Sequence, residues 1–203
     1  MKVLAITSNP KTDSLTNAVA DAFLNGATAS GAEAELLDLH RIGFNPVYTN
    51  EDREHYLGRA PFPSDVVPLQ AQIADSDVIA VVFPIYWYAM PAMMKGFFER
   101  VLCRGFAYRR DGLPGALVGK TVRIFVLCGD SEEWYRTSGM DDALQLQICE
   151  RTFKHYCRVD DVELHYVDGL IMGDDSHEAI ESANAQLRQI RIMGETITAS
   201  HSS

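Results

Sequence analysis

Two stretches of this chain, Asp77–Phe83 (DVIAVVF) and Val122–Cys128 (VRIFVLC), are apolar almost without interruption. A strand with one wet face alternates polar and apolar residues. A strand without alternation is covered on both faces, and the arrangement that does this routinely is a parallel sheet between two helix layers. The remaining segments fit that frame. Val3–Thr7, Ala34–Leu39 and Val162–Val167 read as further strands. Helices are expected from about Ser14, where Leu15, Val19, Ala22 and Phe23 recur at helical spacing, and over Leu69–Ala74, Pro91–Cys103, Met140–Tyr156 and Ser176–Met193. Proline at the start of the third of these is tolerated because the first helical N–H needs no partner. Gly26 and Gly31 are expected to end the first helix. Between the second strand and the second helix lies a long polar insertion, His40–Val66, with a short helix expected near Glu51–Tyr56.

Strands alternating with helices predict an α/β three-layer sandwich, an open doubly wound sheet. Five strands fit the order 2-1-3-4-5 better than a six-stranded dinucleotide-binding sheet. The 203 residues suit one domain, residues 1–195, followed by a polar tail, 196–203; the residues after Ile192 (MGETITASHSS) are expected to fray.

Charge and cysteine usage narrow the function. A net charge of −10 argues against nucleic-acid partners, whose phosphates need a surplus of Lys and Arg, and against anionic membrane surfaces. Cys103, Cys128, Cys149 and Cys157 show neither CxxC nor Cys/His metal spacing, so no metal site is expected and free thiols in a reducing, cytoplasmic compartment are. The opening MKVLAITS is too short for a secretory signal, and no uninterrupted apolar run approaches membrane-spanning length.

In open α/β sheets ligands bind beyond the carboxyl ends of the strands, where the strand order reverses. Here that places the chemistry in the loops after Thr7, Phe83 and Cys128. The first, Ser8–Thr16, leads into a helix; the hydroxyls of Ser14 and Thr16 with the unpaired N–H groups of the opening turn can hold a phosphate, or can simply cap the helix. It carries neither GxGxxG nor GxxxxGK[ST], which excludes a Rossmann pyrophosphate turn and a P-loop. The second, Pro84-Ile85-Tyr86-Trp87-Tyr88-Ala89-Met90-Pro91, sets three aromatics in a row directly after a buried strand. Flat faces of that kind suit a planar ring, while the alternative is a hydrophobic cover or a subunit contact. The third, Gly129–Gly139, offers Gly129 for close backbone approach and the Tyr135 hydroxyl as a hydrogen-bond partner for a ring oxygen or a substrate carbonyl. Its acidic trio Asp130, Glu132 and Glu133 reads as a solvated face. Taken together the loops suit a flavin, with its phosphate at the first and its isoalloxazine at the other two.

These motifs resemble the NAD(P)H:quinone oxidoreductase family, enzymes of flavodoxin-like fold that include the bacterial potassium-efflux ancillary flavoproteins. The resemblance is most specific over Pro84–Val101 (PIYWYAMPAMMKGFFERV), Gly105-Phe106-Ala107-Tyr108 and Gly119-Lys120, extends to Ser8–Asn17 and the insertion Asp38–Tyr56, and loosens beyond Gly139. It implies an FAD or FMN cofactor, NAD(P)H as electron donor, and ping-pong hydride transfer to a quinone or similar aromatic acceptor. It also implies a homodimer or, in an alternative role, an accessory flavoprotein partnered with a membrane transporter. Carried over by position, Asn9, Ser14, Leu15 and Thr16 would hold the phosphate end. Pro84, Ile85, Tyr86, Trp87 and Tyr88 would frame the ring, and Cys128, Gly129, Asp130 and Tyr135 would complete it, with Tyr135 catalytic. Two positions depart from the family pattern. Asn9-Pro10 stands where His-Pro is common, and Asp141 stands where enzymes with a catalytic Tyr/His pair carry histidine. An ionised aspartate cannot donate a hydrogen bond to a developing hydroquinone oxygen as histidine can.

Overall fold

The computed structural model describes residues 1–169, 173 and 176–197. In chain order the elements are β1 (Lys2–Thr7), α1 (Leu15–Ala29), β2 (Glu33–Asp38), α2 (Asn50–Tyr56), α3 (Val67–Asp75), β3 (Val78–Pro84) and α4 (Ala92–Arg100). They continue with β4 (Thr121–Leu127), α5 (Glu132–Ser138), α6 (Met140–Leu144), a π-helical stretch (Gln145–Tyr156), β5 (Asp161–Val167) and α7 (His177–Ile197). The strands form one five-stranded sheet in the order β2-β1-β3-β4-β5, parallel throughout.

The almost wholly apolar runs occupy the middle of the sheet. Every residue of β4 is buried, as is every residue of β3 except Pro84. Their side chains divide by parity between two cores. Ile79, Val81, Phe83, Ile124 and Val126 face α3, α4 and the π-helical stretch; Val78, Ala80, Val82 and Phe125 face α1 and α7. The edge strand β5 buries only Val162 and Val167, as expected of a strand with one neighbour.

Three expectations change. Gly26 lies inside α1 rather than at its end, because α1 and α7 pack with their backbones nearly in contact: a Cβ on Gly26 would run into the Arg191 carbonyl, and one on Gly194 into that of Phe23. The expected helix Met140–Tyr156 is present but wound in two ways. In its second part carbonyls are met five residues on, as between Thr152 Oγ1 and the Gln147 carbonyl at 2.7 Å and between Cys157 N and the Thr152 carbonyl at 3.1 Å. Finally, α7 continues past Ile192 and buries Ile197 against the sheet, so the polar letters of that segment belong to the outer face of a docked helix. Residues 198–203 of the expected tail lie outside the described residues.

The insertion after β2 is anchored on α4. Arg100 is buried and reaches Asp52 (Nε to Oδ2, 3.0 Å), the Asn45 carbonyl (2.6 Å) and Asp65 (2.8 and 2.9 Å). Asp52 also closes a capping box with Thr49 at the start of α2. A Cβ at Gly96, one turn before Arg100, would collide with Pro46 of the insertion.

Candidate functional site

Register brings the three loops side by side. Thr7 pairs with Val82 and with Asp38, Pro84 with Leu127, and Leu127 with Val167, so the chain leaves β1, β3 and β4 at one edge of the sheet. Backbone bonds carry the alignment into the loops: Ile85 N donates to the Leu127 carbonyl (2.8 Å) and Cys128 N to that of Val167 (3.0 Å).

The first loop is closed by its own side chains. Ser14 caps α1 by accepting from Asn17 N at 3.2 Å, and Asn9 Nδ2 donates to Thr16 Oγ1 at 2.9 Å. Asn17 Nδ2 bonds the Thr12 carbonyl at 2.9 Å and Asp38 Oδ2 at 3.4 Å. Since Ala18 N takes the Ser14 carbonyl, the Leu15 and Thr16 N–H groups are the ones left pointing out of the helix end. At the same strand end and helix start lie buried polar atoms with no hydrogen-bond partner among the described residues: Thr7 Oγ1, Ser8 Oγ and Asn17 Oδ1. Buried hydroxyls and amides are almost always satisfied, so three orphans grouped at one strand end and helix start mark a place built for a polar group. Sequence reasoning reached Asn9, Ser14, Leu15 and Thr16 but passed over Thr7, Ser8 and Asn17, because only burial distinguishes an orphaned hydroxyl from an ordinary one.

The second loop is a tight hairpin. Tyr86 and Ala89 exchange backbone bonds of 3.0 and 3.1 Å, with Trp87 and Tyr88 at φ values of +49° and +58°. Positive φ at both central positions is the hairpin turn for which Asn-Gly is the favoured pair. A large aromatic there costs about 1–2 kcal/mol of strain. Packing does not explain the choice, since Trp87 is 93% exposed. Tyr86 and Tyr88 are also exposed, while Pro84 and Ile85 are half-buried.

In the third loop Gly129 and Asp130 are exposed and Cys128 is buried. What the sequence suggested as a loop through Gly139 contains α5, capped by Ser131 (from Trp134 N, 3.2 Å) and tied to the end of β5 by a 2.6 Å bond from Glu132 N to Asp168. The helix buries the Tyr135 ring, whose neighbours are Tyr166 at 5.2 Å and Trp134 at 5.4 Å. Trp134 in turn stacks on Tyr88 at 5.8 Å and joins the second loop to the third. Burial first, then the proximity of Cys128 and Asp130, pushes the Tyr135 phenol up to about 12, so it stays protonated at neutral pH. Burial likewise pushes the Cys128 thiol up to about 12, leaving it a neutral wall rather than a nucleophile. Asp141 accepts a 2.9 Å bond from the Tyr166 hydroxyl. Trp134 and Tyr166 are the aromatic contributors that the sequence reading did not single out. The first is adjacent to Tyr135 in the chain, but Tyr166 is placed by strand register alone.

The family model described as "Flavodoxin-like fold" matches residues 1–190. This chain belongs to that family. Relatives of this flavodoxin-like protein include an uncharacterized NAD(P)H oxidoreductase, YcaK, of Escherichia coli. It is 28% identical over 193 residues, covering 95% of this chain and 96% of the relative. Another is the human ribosyldihydronicotinamide dehydrogenase [quinone], 26% identical over 177 residues, with 77% of this chain and 76% of the relative covered. Among solved structures, an NAD(P)H:quinone oxidoreductase from Methanothermobacter marburgensis superposes with a TM-score of 0.87 at 24% identity, over 98% of this chain and 97% of that one. That likeness confirms the flavodoxin-like fold.

Proposed function

We propose that this protein is a flavin-dependent NAD(P)H oxidoreductase that reduces quinones or similar aromatic electrophiles. One observation carries the reading: at the strand-order switch point, orphaned buried polar atoms follow β1 and a strained, exposed aromatic hairpin follows β3. The first fits a phosphate and the second a flat ring, the two ends of a flavin. The names of the relatives above, an NAD(P)H oxidoreductase and a quinone dehydrogenase, support the same class of reaction.

Within this reading Asn9, Ser14, Leu15 and Thr16 hold the phosphate end, joined by Thr7 and Ser8 from the end of β1. Pro84, Ile85, Tyr86, Trp87 and Tyr88 frame the ring, and Cys128, Gly129, Asp130 and Tyr135 complete its surround. The flavin, FAD or FMN, supplies the redox chemistry when bound. Tyr135, with a protonated hydroxyl that no group among the described residues engages, is the donor placed for an acceptor oxygen. The electronegative rim of Asp130, Glu132 and Glu133 favours neutral acceptors over anionic ones. The protein acts as a homodimer in the cytoplasm, a compartment that fits its free cysteines. No helix among the described residues is long and apolar enough to cross a membrane. The accessory role beside a membrane transporter has no observation of this chain in its favour.

Heat release and chromatography of the bound flavin, NAD(P)H oxidation with a panel of quinones, and light scattering of the eluting protein test these statements together. The expected result is a yellow dimer that turns over NAD(P)H only when a quinone is supplied. A colourless protein that takes up neither FAD nor FMN, and oxidises no NAD(P)H, refutes the reading.

A further inference from the structure

The pattern expected of a catalytic Tyr/His pair is broken at Asp141, and the structure shows what occupies that carboxylate instead. Its Oδ1 accepts from the Tyr166 hydroxyl at 2.9 Å and from Gln145 Nε2 at 3.5 Å. Tyr166 is on β5 and Asp141 in the first turn of α6, so this bond pins the segment that follows α5 to the edge of the sheet. The Tyr166 ring lies 5.2 Å from that of Tyr135, inclined by 44°. Tyr135 therefore rests between Tyr166 and Trp134.

We propose that Asp141 and Tyr166 are a positioning pair: Asp141 holds Tyr166, and Tyr166 holds the Tyr135 ring so that, of these two packed phenols, the Tyr135 hydroxyl is the one offered to the electron acceptor. The inference rests on the proposed function. Its logic is the donor count. A phenol has one proton, and that of Tyr166 is committed to Asp141, so Tyr166 has none to offer the site. A carboxylate is acceptor-only and is itself taken up by Tyr166, so Asp141 acts on Tyr166 and not on the acceptor. Tyr135 is the phenol of the pair whose hydroxyl no group among the described residues engages. The substitution of aspartate for histidine thus changes the role of the position, from a group that touches substrate to one that acts through a neighbouring ring. Burial raises both phenols, and the bond to Asp141 raises Tyr166 further, so each keeps its proton in the working pH range.

The test uses the flavin-loaded protein with Tyr166→Phe, Asp141→Asn and the double variant, and measures the two half-reactions by stopped flow: bleaching of the flavin by NAD(P)H, and its recovery on mixing with benzoquinone. Tyr166→Phe should slow recovery by roughly ten- to a hundredfold through misplacement of Tyr135, and Asp141→Asn, which leaves an uncharged and weaker acceptor, by a smaller factor, with bleaching unchanged in both. Because both act along one chain of contact, the double variant should be no slower than the slower single variant. A second readout is independent of activity. In an ultraviolet titration of the flavin-free protein, Asp141→Asn should move one phenol, absent in Tyr166→Phe, down toward the ordinary tyrosine range. Recovery at the wild-type rate in both single variants, equal slowing of both half-reactions, additive losses in the double variant, or an unshifted phenol titration would each overturn the positioning role. Wild-type protein that binds flavin but passes no electrons to quinone overturns the proposed function instead, and the phenol titration then still decides whether Asp141 governs Tyr166. Should Tyr166→Phe fail to fold, Asp141→Ala, which removes the acceptor, carries both measurements in its place.

Discussion

Replacing Trp87 by asparagine separates what the aromatic hairpin does for the fold from what it does for the ligand. Trp87 sits at φ +49° with 93% of its surface exposed and no ring partner within the chain. Asparagine adopts the left-handed conformation far more readily than a bulky residue, so the substitution relieves about 1 kcal/mol of backbone strain while removing almost no packing. In a domain of this size that corresponds to a rise of about 2–4 °C in the melting temperature of the flavin-free protein. The ligand should respond in the opposite direction. Loss of one stacked ring, worth about 0.5–1.5 kcal/mol beyond its buried area, weakens flavin binding by up to roughly tenfold. Thermal unfolding of the flavin-free protein by circular dichroism and flavin titration by fluorescence quenching read the two effects separately. A flavin-free variant that melts at or below the wild-type temperature would show that the turn stores no strain. Unchanged flavin affinity would remove Trp87 from the ring platform. Only the combination of a more stable fold and a weaker grip supports a hairpin strained for binding.

Other perturbations address the remaining parts. Arg100→Leu should cost about 3–5 kcal/mol in urea unfolding at neutral pH, because Asp52 is left buried without its cation. In the wild type, burial would raise the Asp52 carboxyl, but its bonds from Thr49 and Arg100 outweigh that and hold it below the usual carboxylate range. The resulting stability is present above the unfolded-state pKa and is lost as pH falls through the folded one. In Arg100→Leu the bonds from Thr49 remain but those from the guanidinium are lost, so the Asp52 carboxyl rises above its wild-type position and the deficit shrinks as pH falls through it; a deficit that stays constant with pH would refute the account. Tyr135→Phe should slow quinone-dependent turnover by about a hundredfold or more while the protein still binds flavin, and wild-type turnover should show no Tyr135 ionisation between about pH 6 and 9 because that phenol titrates far higher. Gly26→Ala should lower stability by roughly 1–3 kcal/mol by driving α1 away from α7; a neutral result in thermal melts would mean that the two helices separate freely.

The chain alone determined the architecture. Nearly unbroken apolar runs at 77–83 and 122–128 fit the middle of a covered parallel sheet, and the alternation of strands and helices leaves few orders for the rest. Because ligand sites in such sheets follow from strand order, the loops after Thr7, Phe83 and Cys128 were legible too, as were the residue types in them that suit a phosphate and a ring. Tertiary structure decided what depends on neighbours distant in sequence. Nothing local shows that Gly26 meets the backbone of α7, that MGETI extends a docked helix, or that Ser8 and Thr7 bury hydroxyls without partners. The role of Asp141 is the clearest case. Read beside Tyr135 in the chain it is a missing proton donor; in space it faces Tyr166, a residue brought there by the register of β4 with β5, and becomes the acceptor that holds a neighbouring ring in place. Local pattern reports periodicity and burial, whereas a hydrogen-bond partner from another strand is set only when the sheet closes.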